Sequence, residues 1–164
     1  MCYSYSSLMK REEGMGITIQ EVQQSDIPSV VKLLSEMQTE IGELDVNPDV
    51  YAKAIAEGLR DNLSWFLFLD EQKNCFGTCY LQPVHNYWRL EKRFYLGGFY
   101  ISPLYRGKGN FRKIYNILKS WVVSKNGGQI YAHIHNENER SMRAFKAVGL
   151  EEIEYKLFAD YWEN

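Results

Sequence analysis

The stretch at residues 99–121 constrains the fold most, because a strand, a turn and a helix follow one another there. Phe99 and Ile101 show the alternation of a strand, and Pro103 ends it, since proline has no N–H to donate to a ladder. After Gly109 the apolar residues recur at helical spacing and predict one buried stripe. That stripe consists of Phe111, Ile114, Tyr115, Leu118, Trp121 and Val122. The stretch therefore predicts a strand–turn–helix unit.

The turn in this unit combines glycine with positive charge. Its residues are Arg106, Gly107, Lys108, Gly109 and Asn110, and the helix then begins with Phe111, Arg112 and Lys113. Glycine admits positive φ and lets a ligand approach the main chain closely. N–H groups that open a helix form an anion site, which the helix dipole strengthens. The turn thus favours a phosphate or pyrophosphate, although its glycine spacing fits neither a Walker A loop nor a dinucleotide fingerprint.

Length and composition indicate one folded domain. The chain has 164 residues, of which 45% are apolar and 15% aromatic, which excludes disorder for the bulk of it. We expect residues 1–15 to form a flexible N-terminal tail and residues 16–164 to form a single domain. Strands are predicted over residues 17–22, 64–69, 75–84, 92–101 and 129–135, with two short strands over 151–162. Four helices are predicted. They run from Ser25 or Asp26 to Gly42, from Asn47 to Arg60, along the apolar stripe from Phe111 to Val122, and between Asn138 and Gly149.

Charge and cysteine content narrow the class of protein. A net charge of −2 argues against a nucleic-acid binder, which usually carries a strong basic excess. No apolar run approaches the roughly 18 residues of a membrane span, and no signal-peptide pattern opens the chain. Cys75 and Cys79 would lie about 13 Å apart in a strand, too far for a disulfide, and they have no partner cluster for zinc. We expect a cytoplasmic protein with no metal, nucleic-acid or membrane partner.

Two motifs together resemble the signatures of the GNAT N-acetyltransferase superfamily. The turn is similar to the family's acetyl-CoA loop, Arg/Gln-x-x-Gly-x-Gly/Ala: Arg106 and Gly109 match, while Phe111 stands where Gly or Ala is usual. The family's second signature is an Asn, a small residue three positions on, an aromatic residue and then Gly-Phe. The residues at those positions are Asn138, Ser141, Phe145, Gly149 and Leu150.

The resemblance covers about residues 16–162 and implies a fold and a cofactor. The implied fold is an α/β GNAT fold, with a mixed, mostly antiparallel central sheet of six to seven strands flanked by about four helices. The stretch at residues 95–101 looks most like the diamine and polyamine (spermidine/spermine) branch. The implied cofactor is acetyl-CoA. The residues expected to bind it are Phe99, Tyr100, Ile101, Arg106, Gly107, Lys108, Gly109, Asn110, Phe111, Arg112, Asn138, Ser141 and Phe145.

The resemblance also implies direct transfer of the acetyl group to a primary amine, such as a small amine, a polyamine or an amino-acid-like acceptor. The chain departs from the family at two chemical positions. Gly97 or Gly98 holds the place of the acidic base of the polyamine branch, and Phe145 replaces the tyrosine that protonates the departing thiolate. His133, on the strand predicted after the long helix, could act as the base instead, or could be structural. Paired glycines within a strand also predict a bulge.

Two groups of side chains could serve an acceptor. Acidic residues on the first two helices could attract a cationic amine, or could form a solvated helix face; they are Glu36, Glu40, Glu43, Asp45 and Asp49. An aromatic-rich region could shape an acceptor pocket that is apolar or stacks on a cation, or could be core; it comprises Tyr80, Tyr87, Trp88, Tyr95 and Tyr100.

Two other functions fit the same motifs. One is a catalytically silent GNAT domain that binds acyl-CoA as a sensor or scaffold, which the two chemical departures favour. The other is a binder of nucleotide phosphates that uses the same turn. A homodimer is possible, since dimers are common in the family.

Overall fold

The structure is a computed structural model that describes residues 16–42, 47–154 and 159. The predicted flexible tail at residues 1–15 lies outside the described residues. So does most of the segment predicted to form the last two strands. The chain divides into two compact units, residues 1–133 and residues 134–164. The single domain predicted over residues 16–164 stays a prediction.

The first unit contains a mixed sheet of five strands in the order of the chain. The strands are β1 (Thr18–Glu21), β2 (Ser64–Leu69), β3 (Cys75–Asn86), β4 (Glu91–Ile101) and β5 (Gly127–Tyr131). Successive strands from β1 to β4 pair antiparallel, and β5 pairs parallel to β4. The mixed sheet is confirmed.

The prediction of six to seven strands is wrong for the described part of the chain, which has five. The strand predicted over residues 129–135 ends at Tyr131, so His133 lies beyond it, and residues 151–154 form no strand. Alternation of apolar and polar residues reports which face a side chain would take. It does not report whether a neighbouring backbone lies within reach, and that decides whether a strand forms.

Four helices occur in the described residues, as predicted. They are α1 (Ile27–Ile41), α2 (Pro48–Arg60), α3 (Asn110–Ser124) and, in the second unit, α4 (Glu139–Lys146). Gly42 ends α1 with φ 84°, and the side chain of Asn47 caps α2 by accepting a hydrogen bond from the N–H of Asp49. None of the helices in the described ranges is long and apolar enough to cross a membrane.

Helices pack against both faces of the sheet in the first unit. Adjacent residues of a strand point to opposite faces, and β2 shows both environments. Leu67 belongs to the core that α1 and α2 form, together with Val30 and Ile55. Its neighbour Phe66 points the other way, and its ring lies 5.1 Å from that of Trp121 on α3. The sheet is therefore covered by α1 and α2 on one face and by α3 on the other.

A bulge interrupts β4 at the paired glycines, as predicted. Thr78 pairs with Tyr100 and Tyr80 pairs with Gly97, so β4 has one residue more than β3 between these pairs. Gly98 has φ 57°, a left-handed conformation that favours glycine. A Cβ at Gly97 would overlap the ring of Tyr80. The bulge therefore depends on both glycines, one for its backbone angle and one for the space it leaves.

The second unit is built around α4, whose predicted ends are confirmed. The side-chain oxygen of Asn138 accepts a hydrogen bond of 3.0 Å from the N–H of Ser141. Gly149 follows the helix with φ 91°. The N–H of Leu150 then donates to the carbonyl of Phe145, which closes the C-terminus.

We predict that Gly97→Ala lowers the free energy of unfolding by about 1–3 kcal/mol, because the added methyl group overpacks against the Tyr80 ring. Denaturant unfolding measures the loss. The double variant Tyr80→Ala/Gly97→Ala should lose less than the sum of the two single variants. Gly128→Ala is the control, since its Cβ would meet only the movable side chain of Glu91. A Gly97→Ala variant as stable as the wild type would contradict the conclusion that the Tyr80 ring needs the space at Gly97.

Candidate active site

The edge of β4 that faces β5 is only partly paired. The two strands pair from Lys92 with Gly127 to Tyr95 with Tyr131, where β5 ends. Because β4 continues to Ile101, its backbone beyond Tyr95 has no strand partner on this side within the described residues. Unpaired strand backbone offers N–H and C=O groups to an extended ligand, which can add like a further strand. The predicted contact residues Phe99, Tyr100 and Ile101 lie on this open edge.

The glycine turn continues directly from the open edge. A short 3₁₀ turn at Pro103–Tyr105 follows β4, and Gly107 and Gly109 then adopt φ 73° and 74°. A Cβ at either glycine would have no atom within 4 Å, so the glycines serve the backbone angles and leave open space.

The backbone N–H groups of the turn form a candidate anion site. In the described part of the chain, those of Gly107, Lys108 and Gly109 make no hydrogen bond, whereas that of Arg106 donates to the carbonyl of Pro103. The helix α3 begins at Asn110, directly after these residues. The N–H groups of its first turn point toward the N-terminal end of the helix, where the glycine turn lies. Successive unpaired N–H groups next to a helix N-terminus bind anions such as phosphate.

The side chain of Arg106 holds the turn in place. Its Nε donates to the carbonyl of Ile101 at 2.6 Å, and its two Nη atoms donate to the carboxylate of Glu40 at 2.7 and 2.6 Å. The hydrogen bonds to Glu40 raise the pKa of Arg106. Arg106 therefore joins the end of β4 to α1, with its charge opposed by Glu40. Its predicted contact with a cofactor stays a prediction.

Two more side chains fix the shape of the turn. The hydroxyl of Tyr105 donates to Asp70 at 2.8 Å, which raises the pKa of Tyr105. The Tyr105 ring stacks on Phe76, with centroids 4.3 Å apart. Asn110 donates from Nδ2 to the carbonyl of Tyr105 at 2.9 Å. The side chain of Asn110, predicted to bind a cofactor, thus also bonds within the turn.

An open groove of about 670 Å³ lies beside the turn. Lys108 and Asn110 line it from the turn, Leu104 and Phe76 add apolar surface, and Asp70 and Glu71 face it from the loop between β2 and β3.

The structure gives a physical account of the missing carboxylate near the bulge. The place beside Gly97 is filled by the ring of Tyr80, which also lies 4.8 Å from Trp65. Burial, and then the neighbouring Tyr95, raise the pKa of Tyr80, so its phenol keeps its proton at neutral pH. Tyr80 therefore stays neutral and does not replace the missing carboxylate as a base.

His133 remains beside this region although it is outside β5. Its ring centroid lies 4.9 Å from that of Tyr95 and 6.1 Å from that of Tyr131. The side chain is exposed, so water reaches the imidazole. Its predicted role as a base stays a prediction.

The predicted acidic group is only partly available to an acceptor. Glu40 is engaged by Arg106, and Glu36 accepts a hydrogen bond of 3.4 Å from the hydroxyl of Ser102. Asp49 is exposed at the start of α2, while Glu43 and Asp45 lie outside the described residues. In the aromatic group, Tyr87 and Trp88 are 83% and 98% exposed in the turn between β3 and β4.

In the second unit, Phe145 is buried on α4, and Asn138 and Ser141 bond to each other at the helix start. Their predicted contacts with a cofactor stay predictions.

The hydrogen bonds from Arg106 to Glu40 and from Tyr105 to Asp70 were not predicted from the sequence. They join residues 66 and 35 positions apart, and no local pattern connects such positions.

A family model described as the acetyltransferase (GNAT) family matches residues 27–150. This range includes the open edge of β4, the glycine turn and α4. A search of curated proteins gives no match to the chain.

Many solved structures share this fold. One is a possible acetyltransferase from Clostridium difficile 630, with a TM-score of 0.80 at 17% identity, covering 92% of this chain and 100% of the other. Another is a predicted acetyltransferase from Clostridium acetobutylicum with acetyl-CoA, with a TM-score of 0.74 at 15% identity, covering 88% and 96%. A third is AAC(6')-Iy in complex with the bisubstrate analogue CoA-S-monomethyl-acetylneamine, with a TM-score of 0.74 at 19% identity, covering 90% and 99%.

We predict that Gly109→Val weakens the binding of coenzyme A by more than tenfold while destabilising the fold by only about 1–2 kcal/mol, the cost of a left-handed conformation. The affinity loss has a separate cause, because the new side chain projects into the open space beside the unpaired N–H groups. Titration calorimetry and denaturant unfolding measure the two effects.

Gly42→Val is the matched control. Gly42 also has a positive φ and open space around its Cβ, but its N–H is bonded within α1. This variant should show the strain without the loss of affinity. Equal losses of affinity in both variants would mean that the turn at Gly109 does not bind coenzyme A and has only a structural role.

Proposed function

Since the chain belongs to the GNAT acetyltransferase family, we propose that it moves an acetyl group from acetyl-CoA to a primary amine by direct attack. The observation that carries this proposal is the continuity between the open edge of β4 and the unpaired N–H groups of the turn. An extended chain with a diphosphate at one end and a thioester at the other matches that surface along its length.

The binding of the coenzyme uses both halves of this surface. The pantetheine arm pairs with the backbone of β4 between Phe99 and Ile101. The diphosphate lies on the N–H groups of residues 107–111, at the start of α3. Lys108 and Arg112 add positive charge next to these groups. Structures of the same fold have been solved with acetyl-CoA and with a CoA bisubstrate analogue, which supports the assignment.

The reaction forms one bond and breaks another. The neutral amine attacks the carbonyl carbon of the thioester, so that a C–N bond forms as the C–S bond breaks. The electron pair of that bond leaves with the thiolate of coenzyme A, and the nitrogen gives its extra proton to a base or to water. A backbone N–H on the open edge of β4 polarises the carbonyl oxygen, as in an oxyanion hole.

Loss of the first proton from the amine is the main obstacle. An aliphatic amine with a pKa near 10.4 is neutral only about once in a thousand molecules at pH 7, which corresponds to about 4–5 kcal/mol. Tyr80 keeps its proton and no carboxylate stands at Gly97 or Gly98, so we assign deprotonation to His133 acting through water. The departing thiolate leaves without the usual tyrosine, since Phe145 has no proton to donate.

Membership of the polyamine branch is not part of this proposal. The place of the branch's acidic residue is filled by the ring of Tyr80, and Glu40 is paired with Arg106. A cytoplasmic location and a homodimer remain predictions from the sequence.

A catalytically silent domain that binds acyl-CoA is the second candidate. Two departures from the family pattern favour it. The Tyr80 ring fills the space beside Gly97, where a carboxylate is missing, and Phe145 stands in place of the tyrosine. Such a domain would bind coenzyme A through the same backbone groups and release no product.

We predict that labelled acetyl-CoA, incubated with the protein and a mixed panel of primary amines, yields equal amounts of acetylated amine and free thiol. The rate at subsaturating amine should rise between pH 6 and pH 9, because the neutral fraction of the amine grows about tenfold per pH unit. Mass spectrometry and a thiol assay measure the two products. Coenzyme binding without any product over this pH range would instead establish the silent domain.

We predict that Phe145→Tyr raises kcat by about tenfold or more and leaves the affinity for coenzyme A unchanged, because it restores a proton donor for the thiolate. Phe145→Leu supplies no donor and serves as the control for changes in packing. Steady-state kinetics and calorimetry separate turnover from binding. An unchanged kcat in the tyrosine variant would show that the thiolate leaves without help from this position.

A further inference from the structure

We infer that an aromatic row on the sheet, consisting of Trp65, Tyr80, Tyr95, Tyr131 and His133, is the acceptor site and that it takes a primary amine carried on a flat aromatic body. The inference rests on the proposed function and narrows its acceptor. It assigns recognition of the acceptor to ring surfaces and not to carboxylates.

Each ring of the row contacts the next one across neighbouring strands. The centroids of Trp65 and Tyr80 lie 4.8 Å apart, and those of Tyr80 and Tyr95 lie 6.0 Å apart. Tyr95 then lies 5.5 Å from Tyr131 and 4.9 Å from His133. The row thus crosses β2, β3, β4 and β5 and ends at an exposed imidazole. Aromatic rings attract one another in stacked or edge-to-face contact at such separations, so an accessible ring of the row offers the same contact to the ring of a ligand.

The row runs beside the point where β4 and β5 part. Tyr95 and Tyr131 are the last paired residues of these strands, and Gly97, covered by Tyr80, is two positions further along β4. The thioester of the proposed coenzyme lies along the open edge that starts here. An amine whose aromatic body rests on Tyr95 and Tyr131 can extend its nitrogen toward the reacting carbonyl, with the His133 imidazole beside these rings left open to water.

The outer end of the row remains accessible. Trp65 is buried within the core formed by α1 and α2, and Tyr80 packs partly against that core. Tyr95 and Tyr131 are only partly buried and His133 is exposed. The inner rings anchor the row, Tyr95 and Tyr131 supply the surface that a ligand can cover, and His133 lies at the edge of that surface.

The charges near the row disfavour a polycation. Burial and Tyr95 raise the pKa of Tyr131, and the one charge that acts on it in the described residues is that of Arg93, which lowers it. No carboxylate of the described residues contributes at Tyr80 either. Tyr100 differs, because burial raises its pKa most and the carboxylates of Glu36 and Glu40 raise it further. Ring faces accept an aromatic body or a single ammonium, and no carboxylate of the described residues acts on Tyr80 or Tyr131 to pair with the further charges of a polyamine.

The first test compares three acceptors with the full-length protein and acetyl-CoA. We expect kcat/KM for 2-phenylethylamine to exceed that for butylamine and for spermidine by about tenfold or more. Butylamine or spermidine acetylated as efficiently as 2-phenylethylamine would overturn the inference and leave the proposed function intact. Absence of any product would overturn the proposed function, and the binding experiment below would then decide the inference alone.

The second test uses Tyr131→Ala and Tyr131→Phe. The alanine variant should raise KM for 2-phenylethylamine about five- to tenfold while kcat and KM for acetyl-CoA stay unchanged, and the phenylalanine variant should retain the wild-type values. Calorimetric titration of 2-phenylethylamine into the protein saturated with coenzyme A gives the same comparison without turnover. Circular dichroism verifies that both variants are folded.

Tyr87→Ala is the matched control, because Tyr87 is an exposed tyrosine in the turn that follows β3. That turn begins after Asn86, which lies four residues, or about 13 Å, along β3 from Gln82, the partner of Tyr95. It should change neither KM nor binding. An unchanged KM and affinity in Tyr131→Ala, or an equal loss in Tyr87→Ala, would overturn the inference.

Discussion

The separation of β4 from β5 is the constraint on which the rest of the site depends. A strand inside a sheet normally satisfies its backbone on both sides, and within the described residues β4 has a strand partner on the β5 side only as far as Tyr95. Beyond that residue β4 leads through Ile101 into the glycine turn and the start of α3. The proposed coenzyme surface is therefore mostly backbone. Such a surface does not depend on the side chains at Gly97 and Phe145, where the chain departs from the family pattern.

Much of this arrangement can be predicted from local signals. The bounds of α2 follow from Asn47, Pro48 and the apolar spacing, and the bulge follows from paired glycines, because a cap or a positive φ is decided within a few residues. The end of β5 at Tyr131 could not be predicted in this way. It depends on where the β4 backbone lies, and the alternating residues up to His135 carry no information about that distance.

The contacts of the side chains that shape the site could not be predicted from the sequence either. The acidic residues of α1 are a plausible attraction for a cationic amine as long as their partners are unknown. The structure pairs Glu40 with Arg106, a residue that the family motif would assign to the ligand. In the same way, Gly97 is an absent carboxylate in the sequence, and in the structure it is the space that the Tyr80 ring requires.

The bond between Arg106 and Glu40 makes the first helix a structural support of the glycine turn. Two charge-assisted hydrogen bonds span 66 residues of sequence, and both side chains remain partly exposed to solvent. Ionic strength weakens such a pair. On the proposal that coenzyme A binds at this turn, its affinity should therefore depend on salt through an intramolecular contact, in addition to any screening of the ligand's own phosphates. A substitution of Glu40, which lies on α1 and outside the proposed coenzyme surface, would therefore alter the support of the turn.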